Sequence, residues 1–168
     1  MLRYIYYICL VGVVCQALWF FPELPTVMSS SFNDDGNPTD WTSKGTYFAL
    51  YGLILLVTHS VFILLPDMFK NDNGIFYVVP NGSAWQAKGK KVETSRYLIQ
   101  SLTLFGIATL VYLGTYTNVV IGANLLKEPA IVEPGTFPLT IGYIVFSVVW
   151  FFAFFNRFGS GRLSEANE

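Results

Sequence analysis

The chain has 168 residues, 53% hydrophobic and 17% aromatic, with only 12% charged and a formal net charge of −1. A soluble globule carries roughly twice that charged fraction to solvate its surface, so composition excludes a water-soluble domain. A near-neutral chain is also a poor match for nucleic acid, and no such partner is expected.

Four runs are long enough to cross a roughly 30 Å hydrocarbon core, which takes about 20 helical residues: 4–21, 46–65, 97–122 and 138–155. A backbone in lipid must satisfy its own hydrogen bonds, so each run is expected to be a helix. The expected fold is an all-α integral membrane protein, one membrane domain over 1–168 with four transmembrane helices in a single bundle. Basic residues orient it, because the cytoplasmic side collects Lys and Arg near the spans. Arg3, Lys70, Lys88, Lys90, Lys91, Arg96, Arg157 and Arg162 fall on one side, Lys44 and Lys127 on the other. That asymmetry places both termini, loop 66–96 and tail 156–168 in the cytoplasm, with loops 22–45 and 123–137 outside. The outer loops carry Glu23, Asp34, Asp35, Asp40, Glu128 and Glu133, an acidic face that attracts cations or basic peptides over about one Debye length.

The first run begins like a secretory signal, with Arg3, an apolar stretch and the small-x-small pattern Cys15-Gln16-Ala17. The apolar stretch continues through Leu18-Trp19-Phe20-Phe21, so a retained span is expected. Cys9 and Cys15 are six residues apart and off a common helical face, which suggests neither a disulfide nor a metal pair.

Loop 22–45 is the one segment with a signature: Leu24-Pro25, Phe32-Asn33, Gly36, Pro38, Trp41 and Ser43-Lys44. Pro25 and Pro38 fix backbone angles, Asn33 to Gly36 and Asn37-Pro38 are strong turn chemistry, and Gly36 can take a positive φ. Trp41 and Phe32 suit the membrane interface, and Thr42 or Ser43 can cap the second helix. The structural reading is a folded cap. The alternative makes Asp34, Asp35 and Asp40 a divalent-cation site, although these three carboxylates fall short of a calcium-binding loop.

This motif, set between two apolar spans, resembles the extracytoplasmic motif of a bacterial membrane module of unknown function found at the N-terminus of the Sdp immunity protein family. The resemblance covers Leu24 to Lys44 and the flanking spans. In that family a second Pro stands at the position of Ser29, His at that of Ser31, and the acidic residue at that of Thr39 instead of Asp40. The chain is shorter than the immunity protein, so the resemblance implies the module standing alone, in the bacterial inner membrane.

His59, beside Thr58 and Ser60 in the second span, is the only histidine. An ionisable group inside a membrane is a functional candidate; the plainer reading is a neutral His59 hydrogen-bonded to Gln100 or Thr103 of the third span. No carboxylate falls within the four runs to complete a proton relay. The third span, with Gly106, Gly114 and several Thr, is the expected central helix, because small and hydroxylated residues face other helices. The aromatic fourth span is expected to face lipid. In loop 66–96, β-prone 75–79, the Asn81-Gly82 turn and 83–87 allow a small β-hairpin ahead of the basic Lys88 to Arg96 segment. That segment reads as a topology anchor first and a lipid-binding patch second.

No nucleophile, base and acid set, nucleotide loop or cluster of metal ligands is legible, so neither enzyme activity nor a cofactor is expected. The functional expectation is a non-catalytic protein that recognises or sequesters a ligand, such as a peptide, at its acidic external loop and relays that state inward. The alternative is an accessory subunit of a larger membrane complex, or, further off, a small transporter. Partners are then membrane lipids, other membrane subunits, an external peptide, or further copies of the chain.

Overall fold

The computed structural model describes residues 1–33, 35–69, 80–82, 91–131 and 136–158. In chain order these form α1 (Leu2–Phe20), a hairpin of β1 (Val27–Phe32) and β2 (Pro38–Ser43), α2 (Lys44–His59), a π-helical turn (Ser60–Leu64), α3 (Leu65–Phe69), α4 (Lys91–Asn124) and α5 (Phe137–Arg157). Among the described residues, four helices are long and apolar enough to cross a membrane: Leu2–Phe20, the continuous rod Lys44–Met68, Val92–Asn124 and Phe137–Arg157. They match the four apolar runs, and each starts earlier than its run. The largest difference is α4, which begins at Lys91 instead of 97; Glu93 in its first turn suits the positive end of the helix dipole.

Two expectations need correction, and a third lies almost wholly outside the described residues. The chain is mostly helical but not all-α, because loop 22–45 folds as a two-stranded antiparallel sheet. The hairpin considered for 75–87 lies outside the described residues except at 80–82, where Asn81 has a left-handed φ of 57° and its Nδ2 donates to Phe158 O at 3.4 Å. A carboxylate also does lie in a spanning rod, since the second helix runs on through Asp67. Pro66 lacks an N–H and its ring would strike the carbonyl of residue 62 in a regular helix. The chain widens just before it, Leu65 N–H donating to Ser60 O across the π turn. Past that wide turn Asp67 receives both arms of the Arg3 guanidinium, at 2.6 and 2.8 Å, tying the rod to the start of α1.

α4 is the central helix. α1 runs parallel to it at close range: a Cβ on Gly114 would sit 2.6 Å from Val13 Cγ1, and one on Gly106 would sit 3.0 Å from the Tyr6 ring. Farther along, Gln16 Nε2 donates to Asn118 Oδ1 at 2.9 Å. Tyr6, Val13, Tyr51, Leu55, Ile63 and Leu110 form the mid-bundle core from α1, the second rod and α4. α5 covers the other side of α4, with Tyr143 stacked on Tyr112 at 4.4 Å and sharing a 2.8 Å hydrogen bond with Thr109. Its outer face leaves Val148, Val149, Phe151 and Phe152 exposed, as a lipid-facing helix would.

Candidate functional site: a hairpin cap

The signature residues build a cap over one end of the bundle. β1 and β2 pair with Val27 opposite Ser43, Met28 opposite Thr42, Ser29 opposite Trp41, Ser31 opposite Asp40 and Phe32 opposite Pro38; the register shifts on either side of Ser31. The tip closes through Asn33, whose Oδ1 accepts from Asn37 N–H at 2.8 Å while its carbonyl accepts from Gly36 N–H at 2.9 Å. Gly36 has φ +80°, and a Cβ there would run into the Ile131 carbonyl. Ile131 N–H in turn donates to Gly36 O at 2.9 Å, so the loop after α4 closes over the hairpin tip.

β1 is the buried strand. Leu24 and Met28 pack with Val120 and Ile121 of α4, joined by the partly buried Phe32. Ser29, fully buried, is held by Asn124 at the end of α4. The Asn124 Oδ1 accepts from Ser29 N–H at 2.6 Å and its Nδ2 donates to Ser29 O at 2.9 Å and to Val120 O at 2.9 Å. One side-chain amide thus does for the edge of β1 what a third strand would do. A proline at position 29, as in the resembled module, would have no proton for this bond; Ser29 instead also fills the register shift, its Oγ lying 2.9 Å from Ser31 O and 3.2 Å from Asp40 O. Ser31 pairs across the strands with Thr39, hydroxyl to hydroxyl at 2.8 Å.

Lys44 explains the end of the signature. Its Nζ donates to Phe21 O at 3.1 Å and Leu24 O at 2.9 Å and lies 4.9 Å from the Phe21 ring centroid. Its backbone N–H continues the ladder to Thr26 O at 3.0 Å. A cation is thereby held at the negative end of α1. Ser43 is the cap of α2, its Oγ accepting from Thr46 N–H at 3.0 Å.

β2 is the exposed strand. In an antiparallel pair, residues directly opposite turn their N–H and C=O groups either toward each other or both away. Ser29 turns its groups away to Asn124, so its partner Trp41 turns its own to the free edge of β2, where the described residues supply no third strand. Trp41 is 53% exposed, beside an exposed Asp40. Phe32 and Trp41, both expected as interfacial anchors, therefore divide: the first joins the core, the second stands outward.

Asp35 is exposed at the turn, and Asp34 lies outside the described residues, so the carboxylate trio is not seen together. Among the described residues no three His, Cys, Asp or Glu side chains gather as metal ligands. Cys9 and Cys15 are free thiols.

His59 does not meet its expected partners. Its ring lies 5.8 Å from Tyr6 and 6.0 Å from Tyr7 of α1, centroid to centroid. Among the described residues its Nδ1 and the Tyr6 hydroxyl are buried without a hydrogen-bond partner. Thr103 instead donates to Ile99 O of its own helix at 2.7 Å, and Gln100 lines a separate cleft between α1 and α4. Packing of α1 against the second rod, which a span-by-span reading does not reveal, places two tyrosines where Gln100 and Thr103 were expected.

No family model, no curated protein and no solved structure matches this chain. The cap residues that sequence reasoning missed are Asn124 and Ile131. An Asn closing a long helix signals at most a C-cap, and nothing local ties it to Ser29, ninety-five residues away.

Proposed function

We propose that this chain is a non-catalytic bacterial inner-membrane protein, akin to the module it resembles, with its termini in the cytoplasm and its hairpin cap outside. The cap recognises an extended basic peptide by strand addition along β2. The observation that carries this reading is the inequality of the two strand edges: Asn124 occupies the edge of β1 at Ser29, while the matching position on β2, Trp41, keeps an outward backbone and an exposed indole. An open edge is a template for another strand, and main-chain bonds supply affinity while side chains supply specificity in such additions. Asp40, next to Trp41, and Asp35 give the edge its preference for positive charge. The eight-to-two distribution of basic residues supports the orientation.

The test is calorimetric titration of the full chain in lipid nanodiscs with an alternating Lys-Val peptide, at low and high salt. Wild type is expected to bind. Asp35→Asn with Asp40→Asn is expected to weaken binding at low salt and leave little difference at high salt, as screening demands. Trp41→Pro removes the outward N–H, which an edge position tolerates, and is expected to abolish binding, whereas Trp41→Ala keeps the edge and weakens it. Equal heats for all four proteins, or none for wild type, would overturn the proposal.

A further inference from the structure

A cleft of about 770 Å³ opens between the first turns of α1 and α4, at the end of the bundle away from the hairpin. Its volume falls in the roughly 300–1,000 Å³ range of small-molecule sites. From α4 it is lined by Ser95, Arg96, Ile99 and Gln100, spaced as one helical face, and from α1 by residues that include Leu2 and Tyr7. The same two helices touch closely farther on, where Gly106 and Gly114 admit Tyr6 and Val13. They part where that face changes to Arg96 and Gln100, polar groups that an apolar helix cannot dehydrate without supplying a partner.

The charges at this end are unequally answered. Arg3 is neutralised by its two-armed contact with Asp67, and Glu93 lies 3.9 Å from Arg157. Arg96 has no ion-pair partner among the described residues. A guanidinium without an ion-pair partner among the described residues, with a hydroxyl and an amide beside it, over walls from Leu2, Tyr7 and Ile99, complements an anion carried on an acyl chain. Both helices are long and apolar enough to span a membrane, so the mouth of the cleft lies at headgroup depth, where basic pockets between helices select anionic lipids.

We infer that this cleft binds one anionic phospholipid, the phosphate on Arg96 with Ser95 and Gln100, and an acyl chain along Leu2, Tyr7 and Ile99. The inference is independent of the peptide reading, which concerns the opposite end.

Native mass spectrometry of the full chain in neutral detergent, with phosphatidylglycerol and phosphatidylcholine at equal mole fraction, tests it. One phosphatidylglycerol per chain is expected, favoured about fivefold, the weight of one basic residue at an anionic lipid. Arg96→Gln should bring the ratio to about one, Arg96→Lys should keep most of it, and Ile99→Trp should exclude both lipids by filling the cleft. Arg157→Gln, at the same end but outside the cleft, should keep the preference. Equal retention of the two lipids by wild type would overturn the inference, and so would equal losses in Arg96→Gln and Arg157→Gln, which would indicate general surface charge. In a parallel melting series, glycerol 3-phosphate should give no stabilisation while phosphatidylglycerol does; equal stabilisation by both would make this a site for phosphate and not for a lipid.

Discussion

Replacing Asn124 with Ala tests how the cap is held to the bundle. The substitution orphans two backbone groups, Ser29 N–H and Ser29 C=O, which Asn124 bonds at 2.6 and 2.9 Å. Ser29 is fully buried and Asn124 nearly so, so water does not replace the lost partner unless the cap moves. A buried polar group left unsatisfied costs about 1–3 kcal/mol, and two of them sum to about 2–4 kcal/mol once partial relaxation is allowed. The comparison variant is Gln16→Ala, which removes the exposed 2.9 Å bond to Asn118 and should cost about 0.5 kcal/mol. Asn124→Asp keeps the acceptor for Ser29 N–H but turns a buried, charged oxygen toward Ser29 O at the negative end of α4, and should cost at least as much as Ala at neutral pH. Chemical unfolding in detergent micelles gives the differences, and amide exchange at Ser29 locates them. An Asn124→Ala loss no larger than that of Gln16→Ala, with Ser29 still protected, would refute the argument that one side-chain amide replaces a third strand.

Three further outcomes follow from the cap and its placement. Lys44→Met should cost about 1–2 kcal/mol, because the carbonyls of Phe21 and Leu24 lose a charged donor, and unfolding of Lys44→Arg, which restores a cation, should recover part of that. Gly36→Val should destabilise the tip by at least about 2 kcal/mol, since φ +80° is unfavourable for an L side chain and the Cβ meets Ile131; faster proteolysis of 33–37 would report it. In intact cells, cysteine at Ser30 should label with an impermeant maleimide while cysteine at Ser83 or Ser164 should not, and the reverse pattern would overturn the orientation.

The helices were legible because a membrane leaves a composition signal that tertiary context rarely overrides, and the four apolar runs became the four long helices. Their ends were less so: the Lys91 to Arg96 segment is polar yet helical, and a single Pro66 does not stop a rod that absorbs it in a π turn. The sequence shows a folded cap without showing its strands, because Ser29-Ser30-Ser31 lacks the alternation that marks one. Gly36, Ser43 and Lys44 carried enough local chemistry to be singled out, and each has a geometric reason in the fold. Asn124 and Ile131 were not legible, since their roles exist only after α4 and α1 bring both loops to one end. The same long-range packing gives His59 tyrosine neighbours and sets Arg96 over a cleft.

The central claim is that the free edge of β2 receives a strand, and hydrogen exchange of the hairpin with and without the Lys-Val peptide tests it most directly. Strand addition should slow exchange at Trp41, whose N–H faces the free edge, and leave Ser29 unchanged, because Asn124 already protects it. Peptide binding with no added protection at Trp41, or with protection only at the loop after α4, would contradict the account.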